Sequence, residues 1–113
     1  MSLYLARFGY TADAWAALIR EPQDREAAIR PMFEKAGATL HGLWYAFGEY
    51  DGYVLYDAPD AASATAISVA VCSSGAISSF ATTPLITVAE MVEALKRAAG
   101  LEYRAPTEAG VPA

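Results

Sequence analysis

The middle of the sequence brings together side chains that could do acid and base chemistry. His41 is the single histidine, and its ordinary pKa lies nearer neutrality than that of any other side chain. It is therefore a candidate general base or haem ligand. Tyr50 is the second candidate catalytic residue, because it stands among the acids Glu49, Asp51 and Asp57. Paired carboxylates can divide acid and base roles when their surroundings separate their pKa values. The alternatives are a strand histidine bonded to backbone and a solvated turn.

Five further residues are candidate ligand contacts. They are four aromatic residues and one cation: Tyr10, Trp15, Trp44, Tyr45 and Arg7. Aromatic side chains line small-molecule pockets, and they also fill protein cores. Arg7 lies within a predicted strand, where it would pair with an acid across the sheet or with an anionic ligand. We interpret Cys72 as an inert, buried thiol in an apolar helix.

The composition excludes several classes of protein. The 113 residues fit one domain at 1–100, followed by an arm at 101–113 that is rich in Pro, Gly and Ala and that we expect to be partly disordered. The net charge is −5 and the eight Lys and Arg residues are scattered, which argues against nucleic-acid binding. No apolar run approaches the roughly 20 residues that cross a membrane.

Cysteine and histidine are too few for a metal site of the zinc type. Cys72 is the single cysteine, so an intrachain disulfide is impossible and a reducing, cytoplasmic setting is expected. One cysteine and one histidine do not supply the ligands of a zinc site. The sequence contains neither a P-loop nor a dinucleotide-type glycine pattern, so we predict no cofactor.

Hydrophobic periodicity predicts the elements that position these side chains. They are a strand at 3–10, a helix from 12 that is interrupted near 21–22 and resumes after 24, strands at 38–49 and 52–58, a helix at 61–74, a strand from 76 to about 80 and a helix at 89–99. Pro31 predicts a kink or a helix start. Asp51-Gly52 predicts a tight hairpin turn with positive φ angles. Thr87 and Glu90 predict a capping box for the last helix.

This order is the split βαβ pattern of a ferredoxin-like α+β sandwich with an added C-terminal helix. Such a fold has a four-stranded antiparallel sheet with helices on one face. Strict alternation along strand 38–49 would place His41, Leu43 and Tyr45 on one face and Leu40 and Trp44 on the other. Both faces would then be apolar, so we expect a second copy of the chain to cover the face without helices, in a homodimer or a higher oligomer.

Residues 61–89 contain no charged side chain. Charged residues are depleted in buried elements and in the cores of interfaces alike. The segment therefore predicts either a buried helix and strand or a subunit surface that extends beyond one dimer contact.

Two long stretches resemble the GYD domain family. They read WYAFGEYDGYVLYDAPD and, after a helix of small residues, SSGAISSFATTPLITVAE, and the N-terminal LARFGYTADAWAALI is similar too. The resemblance covers about residues 3–99. In place of the family's Gly-Tyr-Asp triplet the sequence has Gly48-Glu49-Tyr50-Asp51, so the glycine is displaced by one position. These small bacterial and archaeal proteins have the dimeric α/β-barrel fold, which the resemblance implies here.

The resemblance also implies a range of functions. The fold is similar to that of small cofactor-independent monooxygenases, haem-degrading enzymes and muconolactone-type isomerases. It implies oxygenation or isomerisation of a small apolar or aromatic compound in a pocket between sheet and helices, lined by Tyr10, Trp15, His41, Trp44 and Tyr45. Because one fold hosts many functions, two alternatives stay open. One is a structural module that builds a higher oligomer, and the other is a ligand-sensing protein without catalysis.

Overall fold

A computed structural model describes residues 1–107, so the predicted arm at 101–113 lies partly outside the described residues. The elements follow one another as β1 (Ser2–Tyr10), α1 (Ala12–Arg20), α2 (Arg25–Lys35), β2 (Thr39–Tyr45), β3 (Gly52–Ala58), α3 (Ala61–Cys72), β4 (Ile77–Leu85) and α4 (Val88–Ala98).

The four strands form one sheet in the order β2-β3-β1-β4, and all neighbouring strands are antiparallel. Helix α2 packs against β2, and α3 packs against β3 and β4. We call the side of the sheet that these helices cover the helix face, and the opposite side the open face. The predicted ferredoxin-like α+β architecture is confirmed.

Two strands differ in length from the prediction. β2 ends at Tyr45 rather than near residue 49, and β4 continues to Leu85 instead of ending at Phe80. Pro84 lies within β4 and pairs with Tyr4. β4 lies at the edge of the sheet, so no further strand needs the N–H that Pro84 lacks, and the proline is tolerated there.

Polar side chains cap the start of every helix. Thr11, Asp24, Asp60 and Thr87 each accept a hydrogen bond from a backbone N–H of the first turn, and Thr87 forms the predicted capping box with Glu90.

The helix start that Pro31 suggested lies at Arg25 instead, and α2 continues through Pro31. Pro31 leaves the carbonyl of Ala27 without a donor, and Ala27 is exposed, so water can satisfy that group.

A bulge at His41 decides which residues of β2 face the helices. The pairing register with β3 shifts between Leu40 and Gly42. Such a bulge breaks strict alternation, so Leu40 and Leu43 both lie on the helix face while His41 lies on the open face. The predicted grouping of His41 with Leu43 and Tyr45 on one side is therefore wrong.

Two side chains of α2 hold the bulged strand in place. The Glu26 carboxylate accepts the backbone N–H of Leu43 at 2.8 Å, and the Arg30 guanidinium donates to the Leu40 carbonyl at 3.3 Å. Glu26 and Arg30 also form an ion pair at 3.5 Å. Because β2 is an edge strand, these bonds occupy backbone groups that would otherwise be open to another strand.

The core fills the space between the helix face and the helices. Its buried members are Ala6, Phe8, Phe33, Ala38, Leu40, Val54, Tyr56, Ala58, Ala64 and Ile67. Tyr56 is fully buried at its centre, where its ring stacks on Tyr4 at 5.5 Å and meets the Phe33 ring edge-on at 5.0 Å. These aromatic contacts fix the middle of β3 against both β1 and α2.

Residues 46–51 join β2 to β3 as an irregular loop, and the predicted tight turn at Asp51-Gly52 is wrong. Gly52 is the first residue of β3, and the positive φ angles of the described residues occur at Gly37 and Gly75. Glycine is needed at position 52 for another reason. A β-carbon built there would lie 2.3 Å from the Phe8 ring and 3.0 Å from a backbone oxygen of β2.

We expect Gly52→Ala to destabilise the protein by about 1–3 kcal/mol, because the added methyl group overpacks a buried site. Gly48→Ala is the matched control, since a β-carbon at Gly48 meets nothing within 4 Å. The measurement is the urea midpoint of unfolding at unchanged slope. Equal midpoints for the two variants would contradict the close approach of Phe8 to Gly52.

Candidate functional site

An apolar cavity of about 280 Å³ lies between the helix face and helices α2 and α3. Sheet residues such as Phe8 and Val54 form its floor, and Met32 of α2 and Ile67 of α3 form part of the opposite wall. Because most of its wall is hydrocarbon, the cavity favours an apolar ligand.

Four residues of the lining have polar side-chain groups: Tyr10, Arg25, Tyr56 and Ser74. Arg25 is half-buried, and one guanidinium nitrogen donates to the side-chain oxygen of Gln23 at 2.8 Å. None of the ion pairs found in residues 1–107 includes Arg25. A guanidinium beside an apolar cavity can bind a carboxylate through two parallel hydrogen bonds.

The Tyr56 hydroxyl is buried, and the hydroxyls of Ser68 and Thr82 lie close to it. Within residues 1–107 it makes no hydrogen bond of good geometry, so these two hydroxyls are near neighbours rather than well-aligned partners. Burial raises the pKa of the Tyr56 phenol, and the hydroxyls of Ser68 and Thr82 only partly oppose that rise. Those two hydroxyls hydrogen-bond to each other at 3.2 Å. The Tyr56 hydroxyl therefore lies in the core beside Ser68 and Thr82 rather than in the open space of the cavity.

Four aromatic rings, those of Phe8, Tyr10, Trp15 and Tyr45, form a cluster beside the cavity, which we call the aromatic cluster. The Tyr10 ring lies 5.0 Å from both Phe8 and Trp15, and the Tyr45 ring lies 6.2–6.4 Å from the other three. Tyr10 and Phe8 belong to the cluster and also line the cavity. The cluster therefore forms one end of the cavity wall.

Tyr45 keeps its proton at this end of the cavity. Its hydroxyl lies 3.4 Å from that of Tyr10. Burial of the phenol and this hydrogen bond raise the pKa of Tyr45, although 46% of the whole residue is exposed. Both effects act on the hydroxyl, which points toward Tyr10, while other parts of the residue remain in water. The pair can therefore donate a hydrogen bond to a ligand oxygen while both phenols stay protonated.

Asp51 holds the aromatic cluster together. Its carboxylate accepts the backbone N–H of Tyr10 at 2.8 Å and the indole N–H of Trp15 at 3.3 Å. Its own N–H donates to the Phe8 carbonyl at 2.8 Å, and its carbonyl accepts from Ala46 at 2.7 Å. Asp51 thus joins the loop at 46–51 to the end of β1 and to α1.

On the open face, Tyr50 packs against Arg7. The Arg7 guanidinium lies 5.0 Å from the centre of the Tyr50 ring, and the Tyr53 ring meets Tyr50 edge-on at 6.5 Å. Arg7 also donates to the Thr83 hydroxyl at 3.3 Å, while its Nε lacks a partner within the described chain. A cation over an aromatic ring explains why an aromatic residue stands at position 50.

His41 and Trp44 also lie on the open face. Nε2 of His41 lies 2.5 Å from a carboxylate oxygen of Asp57. A carboxylate in this position orients an imidazole. The Trp44 indole lies across Gly42, where a β-carbon would come within 2.7 Å of the ring, and 55% of Trp44 is exposed.

The structure divides the predicted site residues between the two faces. Tyr10, Trp15 and Tyr45 lie in the aromatic cluster, whereas Arg7, His41, Trp44 and Tyr50 lie on the open face. Of the five residues predicted to line one pocket, the structure brings Tyr10 into the cavity lining. The catalytic and ligand-binding roles of all seven residues stay predictions.

The sequence interpretation missed Arg25, Tyr56 and the anchoring role of Asp51. Period-2 alternation in β3 marks Tyr56 as inward-facing, so its burial had a signal in the sequence. Arg25 and Asp51 have no such signal, because the cavity and the aromatic cluster are formed by residues from distant parts of the chain. The burial predicted for Cys72 is wrong, since the residue is exposed.

The sheet order and the placement of the helices define a ferredoxin-like α+β domain with a cavity between the two layers. The family match is to the GYD domain over residues 4–95, so the chain belongs to the GYD domain family. No curated protein and no solved structure gave a significant match.

Within residues 1–107, no helix has both the length and the apolar character needed to cross a membrane. The same residues contain no group of three or more His, Cys, Asp or Glu side chains placed to hold a metal ion.

We expect Asp51→Ala to lower the free energy of unfolding by about 1–3 kcal/mol, because it leaves the N–H groups of Tyr10 and Trp15 unpaired. Asp51→Asn keeps one acceptor oxygen and should cost less. The control is Glu49→Ala at the exposed neighbouring acid. Urea unfolding gives the energies, and of the two indole N–H signals in an NMR spectrum only that of Trp15 should shift strongly. Identical unfolding of Asp51→Ala and Glu49→Ala would contradict the anchoring role.

Proposed function

We propose that this GYD domain protein binds a small apolar or aromatic molecule carrying an anionic group in the cavity between the helix face and helices α2 and α3. The observation that carries the proposal is the apolar cavity itself, about 280 Å³ in volume, with polar groups from only a few side chains. Pockets for small molecules usually measure about 300–1,000 Å³, so the ligand is compact. Arg25 is the group suited to its anionic end.

Binding without catalysis, as in a ligand sensor, agrees best with the polar groups of the cavity. An oxygenase or isomerase reaction that begins by removing a proton needs a base. Of the phenols in the lining, Tyr56 has a raised pKa, and Tyr10 lies beside Tyr45, whose pKa is raised as well. Such phenols donate hydrogen bonds rather than accept protons. His41, the candidate base, lies across the sheet from the cavity.

We expect 1-naphthoate and its uncharged analogue 1-naphthamide to bind in the cavity, as measured by titration calorimetry. Val71→Trp should abolish binding of both compounds, because Val71 lines the cavity and the indole would occupy its volume. Ala28→Trp is a second cavity-filling variant, and it starts from an exposed position that tolerates a larger side chain. Ile19→Trp is the control, since Ile19 is 79% exposed on α1. Unchanged binding in folded Val71→Trp and Ala28→Trp would contradict the proposal.

A separate comparison tests the anionic end of the ligand. Arg25→Gln should weaken naphthoate binding about tenfold, since a hydrogen bond to a charged group contributes about 1.5–3 kcal/mol when well formed. Naphthamide binding should stay the same. Equal losses for the two compounds would show that Arg25 contributes by packing and not by binding the anionic group. The apolar cavity would remain the binding site.

A second candidate function is assembly, which the open face favours. Leu3, Leu5 and Leu55 are half-buried there beside the exposed Trp44, so water would contact a broad apolar surface in a single chain. We propose that a second copy of the chain covers the open face. Its carboxylates would also supply an acceptor for Arg7, which takes part in no ion pair among the described residues.

We expect Leu55→Asp to weaken self-association at least about tenfold, because it places an uncompensated charge in the covered face. Sedimentation velocity over a range of concentrations measures the effect. Ile19→Asp serves as control on the exposed side of α1. If the wild-type protein is monomeric, or if both variants associate as it does, the open face is not an interface.

A further inference from the structure

Helix α4 is a well-capped amphipathic helix that stands apart from the rest of the chain. Every residue from Ile86 to Arg104 is exposed. The described chain measures 64 Å along its longest axis and 29 and 23 Å along the others. One side of α4 is apolar and is made by Val88, Met91, Val92 and Leu95, which we call the α4 stripe. Val88 is 82% and Leu95 61% exposed.

An exposed helix of this kind needs a surface to pack against. In water, isolated helices shorter than about 12–15 residues are marginally stable, and α4 has 11 residues. The spacing of the α4 stripe is that of a helix which buries one face against another element. Leaving the stripe in water would forgo the hydrophobic energy that normally stabilises such a helix.

Helix α3 presents the complementary feature, an apolar surface without charge. Its sequence AASATAISVAVC lacks charged residues, yet its outer side is exposed, with Val69 61% exposed. A helix that is apolar all round is normally buried on all sides. Beside this surface runs a shallow groove of about 420 Å³ between α2 and α3, lined by Pro31, Met32, Lys35, Ala36, Ala66, Ile67 and Ala70.

The groove and the α4 stripe are both apolar. Alanines in the groove let a helix backbone approach closely, and Met91, Val92 and Leu95 supply bulky side chains to fill it. Lys35 is the charged residue of the groove lining and is exposed, so its ammonium group can stay in water at the edge of the contact.

Two features of α4 favour a second copy over other occupants. The first feature is the short connection: only Ile86 and Thr87 separate β4 from α4, and in the structure α4 extends away from its own α2 and α3. The groove of another copy is therefore favoured over the chain's own groove. The charges on the polar side of α4 are balanced between Glu90, Glu93, Lys96 and Arg97, so the helix lacks the basic excess that attracts anionic lipid surfaces.

We propose that α4 packs its apolar stripe into the α2–α3 groove of a second copy of the chain. Met32, Ile67 and Ala70 line both the groove and the cavity, so the docked α4 lies on the outer side of the cavity wall. This contact differs from the open face, because it uses the opposite side of the sheet. It does not depend on ligand binding.

Disulfide trapping between two differently labelled proteins tests the contact. In a Cys72→Ser background, one protein carries Leu95→Cys and the other, labelled with ¹⁵N, carries Ala66→Cys. We expect mild oxidation to give at least about tenfold more of the mixed dimer than the control pair, because disulfides form only between Cα atoms within about 7 Å. The control replaces Leu95→Cys with Lys96→Cys on the polar side of α4.

The products distinguish the alternatives. Equal yields from the two pairs would overturn the proposal. So would linkage of Leu95→Cys mainly to itself, which indicates paired α4 helices. A single chain carrying both cysteines that closes only an internal disulfide would show that α4 folds onto its own groove.

A charge in the α4 stripe provides an independent measurement. Val92→Asp and Leu95→Asp should each weaken association at least about tenfold in sedimentation velocity, whereas Glu93→Gln on the polar side should not. Both α4 positions are exposed in the single chain, so the variants should fold. Association equal to wild type in both Asp variants would overturn the proposal.

Discussion

The carboxylate of Asp51 is the interaction on which the rest of the site depends. It receives an N–H from the last residue of β1 and another from the indole of Trp15 in α1, while its own N–H bonds to Phe8. The loop after β2 is therefore fixed to β1 at the point where the aromatic cluster forms. The next residue, Gly52, has no side chain, and the Phe8 ring occupies the space that a β-carbon would take. Together, Asp51 and Gly52 fix the position of one end of the cavity wall.

The sheet then separates two sets of chemically capable residues. On the helix face, Tyr10 and Arg25 border an apolar cavity, and Tyr56 forms part of its wall. On the open face, His41 is bonded to Asp57 and Arg7 packs on Tyr50, amid apolar residues exposed to water. A ligand in the cavity meets only the first set. The second set lies on the face that suits a second copy, so binding and assembly use opposite sides of one sheet.

Much of the fold could be predicted because its signals are local. The capping box of Thr87 and Glu90 and the order of strands and helices follow from residues close in sequence. The misses depend on distant contacts. The bulge at His41 is held by side chains of α2, so no alternation pattern in β2 reveals it. Asp51-Gly52 has the sequence of a tight turn, but the Phe8 ring and the Tyr10 N–H decide its structure, more than 40 residues away. The predicted site residues lie on two faces of the sheet for the same reason, because distant contacts decide where each of them is placed.

Nuclear Overhauser contacts between 1-naphthoate protons and the methyl groups of the protein would locate a small apolar anion on one face of the sheet, because they report distance rather than affinity. We expect contacts to the methyl groups of Ile67 and Val71, which line the cavity. Contacts confined to Leu5 and Leu55 would place the ligand on the open face and rule out binding in the cavity.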